Sequence, residues 1–244
     1  MKHPKLRDSK KLQTFEPYPL NKFPEEVINE IGKHFIYLLC TGKTDITGSD
    51  WGDAFAQAIK GQHLDAPIGI ADVTLSNMAW SMKTVKSKTP FNARTVRLIS
   101  GRCSPDYSYG ITDPHKDIEK TGQAVLNIWN ERINIAYDHY RKVRTTVLVR
   151  SNDLLQYRLF EEECHRYPTN KYKWELNRNG NLIGRNISTN KIKFTWQPHG
   201  SQFTIHNEIP QNAIKFTIEK PPVIPKENIL RNINFDYSWI HIQK

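Results

Sequence analysis

The stretch that decides the fold is IGIADVTLSNMAWSMKTVKSK, residues 68–88. Its two runs, IGIADVTL and AWSMKTVK, contain β-branched and aromatic residues, which favour strands. Between them lie Ser76 and Asn77, two residue types that favour turns. The pattern therefore predicts a β-hairpin.

The predicted hairpin places a carboxylate and an ammonium on one side of a sheet. If the loop is centred just after Asn77, Asp72 faces Lys83 and Thr74 faces Ser81, because directly opposed residues share a face. The side-chain period of two also puts Ser81 and Lys83 on the same side of their strand. The opposite face then contains Val73, Trp80 and Met82.

Composition restricts the class of protein. The chain has 244 residues, of which 38% are hydrophobic, and a mean hydropathy of −0.64. These values are typical of a soluble globular protein with one core, and no apolar run is long enough to span a bilayer. The basic first residues, MKHPKLRDSKKLQTF, lack the apolar run of a secretory signal. The expected location is the cytoplasm, with no membrane partner.

Charge and cysteine content indicate a partner and exclude some sites. Cys40, Cys103 and Cys164 are widely spaced and belong to no Cys/His cluster, which argues against a zinc site or a disulfide framework. Lys and Arg number 35 against 25 Asp and Glu, a net charge of +10 that favours polyanions such as nucleic acid. The alternative is a basic protein whose lysines only maintain solubility.

The predicted elements follow one another in a simple order. Residues 1–23 are expected to form an irregular arm, and 24–41 an amphipathic helix ended by Gly42. The core elements are a helix capped by Ser49 that ends at Gly61, the hairpin, a third strand at 93–100 paired with AWSMKTVK, a loop at 101–114, a helix from Asp113 to Arg141, and a strand at 145–151. From Ser49 to Ser151 this order is helix, three strands, helix, strand.

A β-rich region follows this core. Short strands alternate with turns between Leu154 and Glu219, and Asn179-Gly180 is a strong hairpin signal. Trp174 and Trp196 are expected to be core residues. PPVIPKENIL predicts a short helix, and FDYSWIHIQK predicts a closing strand.

Asp72, Lys83 and the αβββαβ order together resemble the PD-(D/E)xK nucleases, a superfamily that includes the type II restriction endonucleases. In that superfamily an aspartate on one strand, and an acidic residue two before a lysine on the next, hold magnesium beside the scissile phosphate. Ser81 stands here where the acidic residue is expected, so one ligand must come from elsewhere.

The resemblance implies an α/β (α+β) fold with a mixed central sheet flanked by helices. It implies a single domain over 1–244, with an N-terminal arm and helix at 1–48, a catalytic core at 49–151 and a β-rich DNA-recognition extension at 152–244. The implied activity is Mg²⁺-dependent cleavage of double-stranded DNA at a short specific sequence. A palindromic target would imply a homodimer.

The resemblance also assigns roles in the site. Asp72 and the carbonyl of Met82 would bind Mg²⁺, and Lys83 would orient the attacking water. Asp53, on the helix before the hairpin, is the favoured second carboxylate; Asp65 and the run 161–163 are the alternatives.

Polar residues that can bond phosphates or base edges are expected to contact DNA. They are Arg97, Arg102, Arg178, Arg185, Gln197, His199, Ser201 and Gln202. Two other functions remain open: a non-catalytic DNA-binding protein with a nuclease-like fold, and a structural or RNA-binding basic protein.

Overall fold

The structure is a computed structural model that describes residues 15–243. Over those residues the chain forms five α-helices and eleven strands. The helices are α1 (Glu25–Cys40), α2 (Gly48–Ile59), α3 (Pro105–Tyr109), α4 (Ile118–His139) and α5 (Lys226–Asn232). The strands are β1 (Gln62–Ile68), β2 (Ala71–Leu75), β3 (Met78–Lys86), β4 (Thr95–Arg102), β5 (Lys142–Arg150), β6 (Gln156–Glu163), β7 (Tyr172–Leu176), β8 (Leu182–Asn186), β9 (Ile192–Gln197), β10 (Gln202–Glu208) and β11 (Ile214–Thr217). The protein is a mixed α+β protein with a β-rich C-terminal part.

The strands belong to two sheets. The first sheet has the order β1-β2-β3-β5-β6-β11, and the second has the order β4-β10-β9-β8-β7. β3 and β5 are parallel, and the other neighbouring strands are antiparallel. A parallel pair needs a crossover connection, and α4 lies in that connection.

Helices α1 and α2 cover one face of the first sheet. Each has an apolar stripe at three- and four-residue spacing, the pattern of a helix with one buried side. Phe35 of α1 stacks on Tyr157 with ring centroids 4.9 Å apart, and Phe55 of α2 meets Trp80 of β3 edge to face at 5.6 Å. Aromatic packing thus holds α2 against β3.

Helix α4 lies between the two sheets. One hydrophobic cluster contains Val125, Leu126, Trp129 and Ile133 from α4, Ala79 and Val143 from the first sheet, and Phe194, Phe203 and Ile205 from the second. Beside it, Val96 and Leu98 of β4 pack directly against Val147 and Phe160 of the first sheet. The first sheet is therefore covered on both faces, which explains why β5 is buried almost throughout.

The predicted hairpin forms with a different turn. Its loop consists of Ser76 and Asn77, and Leu75 pairs with Met78. Ser76 has a φ of 53°, in the left-handed region that tight hairpin turns require. The predicted loop centre was one residue too far along the chain.

The change of turn moves the pairing by two residues. Thr74 faces Ala79 rather than Ser81, and the same register places Asp72 opposite Ser81 rather than opposite Lys83. The predicted pairs were wrong, but the predicted faces are confirmed, because a shift of two residues keeps each side chain on its own side. Val73, Trp80 and Met82 lie together in the cluster beneath α1 and α2.

The third predicted strand forms as β4 but does not pair with β3. It is antiparallel to β10 in the second sheet, and β5 occupies the place beside β3. The alternating burial of β4 suits a sheet with one solvated face, whereas β5 is buried along nearly its whole length, as in a sheet covered on both faces. The three strands that follow α2 in the first sheet are therefore β1, β2 and β3.

Strand β1 was missing from the prediction. The run IGIADVTL was interpreted as one strand, but the chain turns at Gly69, where φ is 64°. Ile68 ends β1 and Ala71 begins β2, so only Ile68 of this run belongs to β1, and the preceding residues from Gln62 onward pair with β2.

Other boundaries also differ. The helix predicted from Asp113 begins at Ile118 with Asp117 as its cap, and the predicted loop at 101–114 contains the short helix α3. FDYSWIHIQK forms no strand over the described residues; it has only a 3₁₀ turn at Tyr237–Trp239. Within the predicted arm, residues 1–14 lie outside the described residues.

Candidate active site

A cavity of about 540 Å³ opens where α2, β1, β2 and β3 meet. Its lining includes Asp53 from α2, His63 and Asp65 from β1, Asp72 from β2, and Met82 and Lys83 from β3. The fold therefore brings together the four residues that the sequence assigned to metal binding and water activation. It adds His63, which had no assigned role, and Asp65, one of the alternatives for the second carboxylate.

Asp72 is fixed through one of its two carboxylate oxygens. The backbone N–H of Met82 donates to Oδ2 at 2.7 Å, and the hydroxyl of Ser81 donates to the same oxygen at 3.5 Å. The Nζ of Lys83 lies 3.7 Å from Oδ2. None of these contacts uses Oδ1, so the second oxygen is not part of this network.

Lys83 joins two of the predicted metal ligands. Its Nζ donates to the carbonyl of Met82 at 3.1 Å in addition to pairing with Asp72. The carboxylate and the carbonyl therefore converge on one cationic group. The side chains of Asp72 and Lys83 are only 23% and 18% exposed, so salt screens this pair less than it screens a surface pair.

Asp53 reaches the cavity as half of a pair with His63. Nδ1 of His63 lies 2.7 Å from Oδ1 of Asp53. The imidazole packs against Gly52 of α2, where an added Cβ would lie 2.5 Å from Nε2. The absence of a side chain at Gly52 thus lets His63 approach α2 closely enough to hold Asp53.

The donor set suits Mg²⁺, which prefers oxygen ligands and keeps several of its waters. Asp53, Asp65 and Asp72 supply carboxylates to the cavity, and Met82 supplies a carbonyl. Over residues 15–243, no group of three or more His, Cys, Asp or Glu side chains is close enough to hold a metal ion. A magnesium ion here would therefore rely on the main-chain carbonyl and on water as well as on carboxylates.

Glu161, an alternative source of the missing carboxylate, has a structural role. Its carboxylate accepts hydrogen bonds from Tyr18 and Trp80 at 2.9 Å and from Thr146 at 3.1 Å, and it pairs with Arg144 at 3.1 Å. Burial raises the pKa of the Glu161 carboxyl, while Arg144 and the hydrogen bonds act to lower it. These contacts tie the segment before α1 to the first sheet.

The other two glutamates of this run do not line the cavity. Glu162 accepts a hydrogen bond from the amide of Asn207 in the second sheet, and Glu163 is exposed. Asp65 is the one alternative from the sequence that lies in the cavity lining.

Six of the eight predicted DNA-binding residues gather at one end of the second sheet. Gln202 faces both Arg102 and Gln197 on its neighbouring strands. His199 and Ser201 lie in the 3₁₀ turn that joins β9 to β10. Arg178 lies in the turn between β7 and β8, at the same end of the sheet.

The remaining two arginines lie elsewhere. Arg97 faces His206 in the other half of β10, and Arg185 forms an ion pair with Glu175. The polar end of the second sheet therefore contains the other six predicted residues but neither Arg97 nor Arg185. Trp174 and Trp196 are buried, as predicted.

Sequence reasoning missed the contact between His63 and Asp53. A signal was present, because a glycine inside a helix costs about 1 kcal/mol relative to alanine and so indicates a close approach. Gly52 is such a glycine, directly before Asp53. The sequence did not predict that His63 is the residue that approaches Gly52, because His63 belongs to a strand that was not predicted.

Within residues 15–243, none of the helices combines the length and apolar character needed to cross a bilayer. Cys40, Cys103 and Cys164 are free thiols.

Comparisons with protein-family models, with curated proteins and with solved structures found no match to this chain.

Proposed function

We propose that this chain is a Mg²⁺-dependent endodeoxyribonuclease that cuts double-stranded DNA at a specific short sequence, as type II restriction endonucleases do. One observation carries the proposal: the carboxylate of Asp72 and the carbonyl of Met82 converge on the ammonium of Lys83, in a cavity that also contains Asp53. A basic protein with this arrangement has the groups that hydrolysis of a phosphodiester requires.

The order of elements supports the same proposal. In the first sheet, α2 is followed by the meander β1-β2-β3 and, after β4 of the second sheet, α3 and α4, by β5 parallel to β3. The resemblance to the PD-(D/E)xK superfamily implies an αβββαβ order, with the catalytic aspartate on one strand and the lysine on the next. Asp72 and Lys83 are on β2 and β3.

Different residues of the cavity would have different roles in hydrolysis. Asp72, the Met82 carbonyl and Asp53 would hold magnesium, which when bound polarises the phosphate and supplies an activated water. Lys83 can donate a hydrogen bond to the attacking water or to a phosphate oxygen, and its charge offsets that of the phosphate. His63 holds the Asp53 carboxylate in position through the bond at Nδ1.

The test is cleavage of mixed-sequence plasmid DNA by the wild-type protein and by Asp72→Asn and Lys83→Ala. Both variants should lose cleavage by more than about 100-fold, a loss typical of removing a group that acts in proton transfer or charge stabilisation. Both should keep their affinity for DNA. Lys86→Ala is the matched control, because Lys86 is on the same strand but pairs with Asp45 outside the cavity. Full activity in either site variant would remove the proposed centre.

A second candidate is a DNA-binding protein without nuclease activity. It is favoured by Ser81, which replaces the expected acidic residue and is only 1% exposed. DNA binding by the wild-type protein, with no cleavage in Mg²⁺ or Mn²⁺, would establish this alternative.

A further inference from the structure

A second cavity, of about 660 Å³, lies at the end of the second sheet opposite the polar residues expected to contact DNA. The polar end contains Gln202, at the start of β10, whereas this cavity is lined by Asn207 and Glu208, at the end of the same strand. Its volume is within the range of sites for small ligands. We refer to it as the Glu162 cavity, after the carboxylate that β6 contributes to its lining.

A β-bulge accounts for the position of Lys193 in the lining of this cavity. Two consecutive residues of β8 pair with Phe194 and Ile192 of β9, so Lys193 between them is an extra residue. Bulges redirect a side chain and are frequent beside functional sites. The Nζ of Lys193 donates to the carbonyl of His206 at 3.2 Å. The sheet therefore departs from its regular pairing at the residue that brings a cation to the cavity.

Lys193 and Glu162 are joined through one buried amide. The amide oxygen of Asn207 accepts a hydrogen bond from Lys193, and the amide nitrogen donates to Oε1 of Glu162. Asn207 is only 4% exposed, so both of its bonds are sheltered from water. Among the described residues, no hydrogen bond uses Oε2 of Glu162. The cavity thus presents a carboxylate oxygen with acceptor capacity beside a cationic donor.

Desolvation destabilises both charged groups of the cavity. It raises the pKa of the Glu162 carboxyl, although Lys193 and Asn207 act to lower it. It lowers the pKa of the Lys193 ammonium, although Glu162 acts to raise it. Perturbed groups in a cavity are typical of functional sites. A ligand with N–H donors for the carboxylate and an acceptor for the ammonium would stabilise both charged forms.

Guanine matches these groups better than the other bases do. Its N1–H and 2-amino group are two adjacent donors for a carboxylate, and its O6, next to them, is an acceptor for an ammonium. Adenine has no carbonyl group, and uracil and thymine have one N–H between two carbonyls. Tyr172 adds an aromatic side chain to the lining, which suits a flat ring.

We propose that the Glu162 cavity binds a free guanine nucleotide, with Glu162 accepting from N1 and the 2-amino group and Lys193 donating to O6. Thr189 and Lys191 are exposed at the rim, where they can donate to the ribose and phosphate. The site is at the end of the sheet opposite the polar residues, which favours a free nucleotide over a base of bound DNA. The inference does not depend on the proposed nuclease activity.

Isothermal titration calorimetry of the full chain with guanosine, inosine and adenosine monophosphates tests the proposal. Guanosine monophosphate should bind at least about tenfold more tightly than either of the others, because inosine lacks the 2-amino donor and adenosine lacks both O6 and N1–H. Tighter binding of cytidine monophosphate would overturn the assignment to guanine. Displacement of guanosine monophosphate by duplex DNA would overturn the assignment to a free nucleotide.

Glu162→Gln keeps the length of the side chain and an oxygen for Asn207, but removes the negative charge. It should weaken binding of guanosine monophosphate by about 10–100-fold. Glu163→Gln is the matched control, because Glu163 is the next residue of β6 and is exposed outside the cavity. Lys83→Ala should bind the nucleotide as the wild type does, since Lys83 lines the candidate active site instead.

Hydrogen exchange locates the bound nucleotide without a variant. With guanosine monophosphate, amides of residues 192–193 and 206–208 should gain protection, whereas those of residues 197–202 should not. A wild-type protein that shows neither heat nor protection at about 1 mM nucleotide would overturn the proposal. So would equal affinity for the three nucleotides, or an unchanged affinity in a Glu162→Gln protein whose thermal unfolding matches that of the wild type.

Discussion

At the scale of single residues, the position of Asp53 depends on the residue before it. Gly52 leaves room for the imidazole of His63, whose Nε2 would lie 2.5 Å from an added Cβ. His63 in turn holds Asp53 at 2.7 Å. A small residue on α2 therefore positions a carboxylate of the candidate site.

Gly52→Ala should displace His63 and release Asp53. We expect overpacking to cost about 1–3 kcal/mol of unfolding free energy, and DNA cleavage to require more Mg²⁺. Urea unfolding and a magnesium titration of the cleavage rate measure the two effects. Gly48→Ala is the control, because Gly48 lines the same cavity and a Cβ there would meet nothing within 4 Å. Equal stability and equal magnesium dependence of the two variants would contradict the role of Gly52.

Glu161 shows how one carboxylate can organise a buried region. Its side chain is fully buried, and it is paired with Arg144, whose side chain is 3% exposed. Glu161→Ala removes the buried carboxylate paired with that guanidinium, which keeps Glu16 and the Tyr18 carbonyl. It also removes the acceptor of Tyr18, Trp80 and Thr146, so it should cost about 3–5 kcal/mol in denaturant unfolding. Glu163→Ala, on the same strand but exposed, should change stability by less than about 0.5 kcal/mol. A similar small effect at both positions would show that the Glu161 network contributes little.

At the scale of elements, the start of α2 determines where Asp53 lies. The sequence predicted Ser49 as the cap, but Thr47 is the cap and forms a capping box with Asp50. The hydroxyl of Thr47 accepts from the Asp50 N–H at 3.2 Å, and the Asp50 carboxylate accepts from the Thr47 N–H at 2.8 Å. Lys43 pairs with the same carboxylate.

The capping box should make the stability of the protein depend on pH. Burial acts to raise the pKa of the Asp50 carboxyl, but Lys43 and the bonds to Thr47 outweigh it and hold the pKa below its ordinary value. A lowered pKa in the folded state means that the contribution is complete above about pH 4 and is lost as pH falls further.

Asp50→Asn should therefore cost about 1 kcal/mol at pH 7, the usual value of a helix cap. Its difference from the wild type should shrink as pH falls below about 4. Urea unfolding at pH 7, 4 and 3 measures this. Thr44→Ala is the control, since Thr44 is exposed in the same loop. A difference that grows on acidification would show that the pKa is not lowered.

At the scale of the whole molecule, the net charge of +10 predicts salt-dependent binding to DNA. Neutralising six to ten phosphates would lower the affinity by about 10³–10⁵ between 50 and 200 mM salt. Arg102→Ala and Gln202→Ala, at the polar end of the second sheet, should each weaken specific binding by about 1–3 kcal/mol. Arg185→Ala is the control because Arg185 already pairs with Glu175. Gel shifts at two salt concentrations measure both effects, and a flat response to salt would count against a DNA-binding surface.

Some elements of the fold were predicted correctly, but the partner of β4 was not. The difference shows which features local sequence patterns determine. The amphipathic helices at Glu25–Cys40 and Gly48–Ile59 and the hairpin follow from side-chain periodicity, which depends on neighbours in the chain. The partner of β4 does not, because a strand with one solvated face can join either of two sheets. In the structure it lies beside β10, and β5 occupies the position next to β3.

The sequence by itself determined that Asp72, Ser81 and Lys83 share one face of a hairpin, since the period of two holds in any register of the same parity. Only the tertiary structure decided which of them face each other, that His63 holds Asp53, that Glu161 is buried with Arg144, and that no residue of α5 is buried. Those outcomes depend on contacts between segments far apart in the chain. Their energies come from packing and burial that no local pattern of residues encodes.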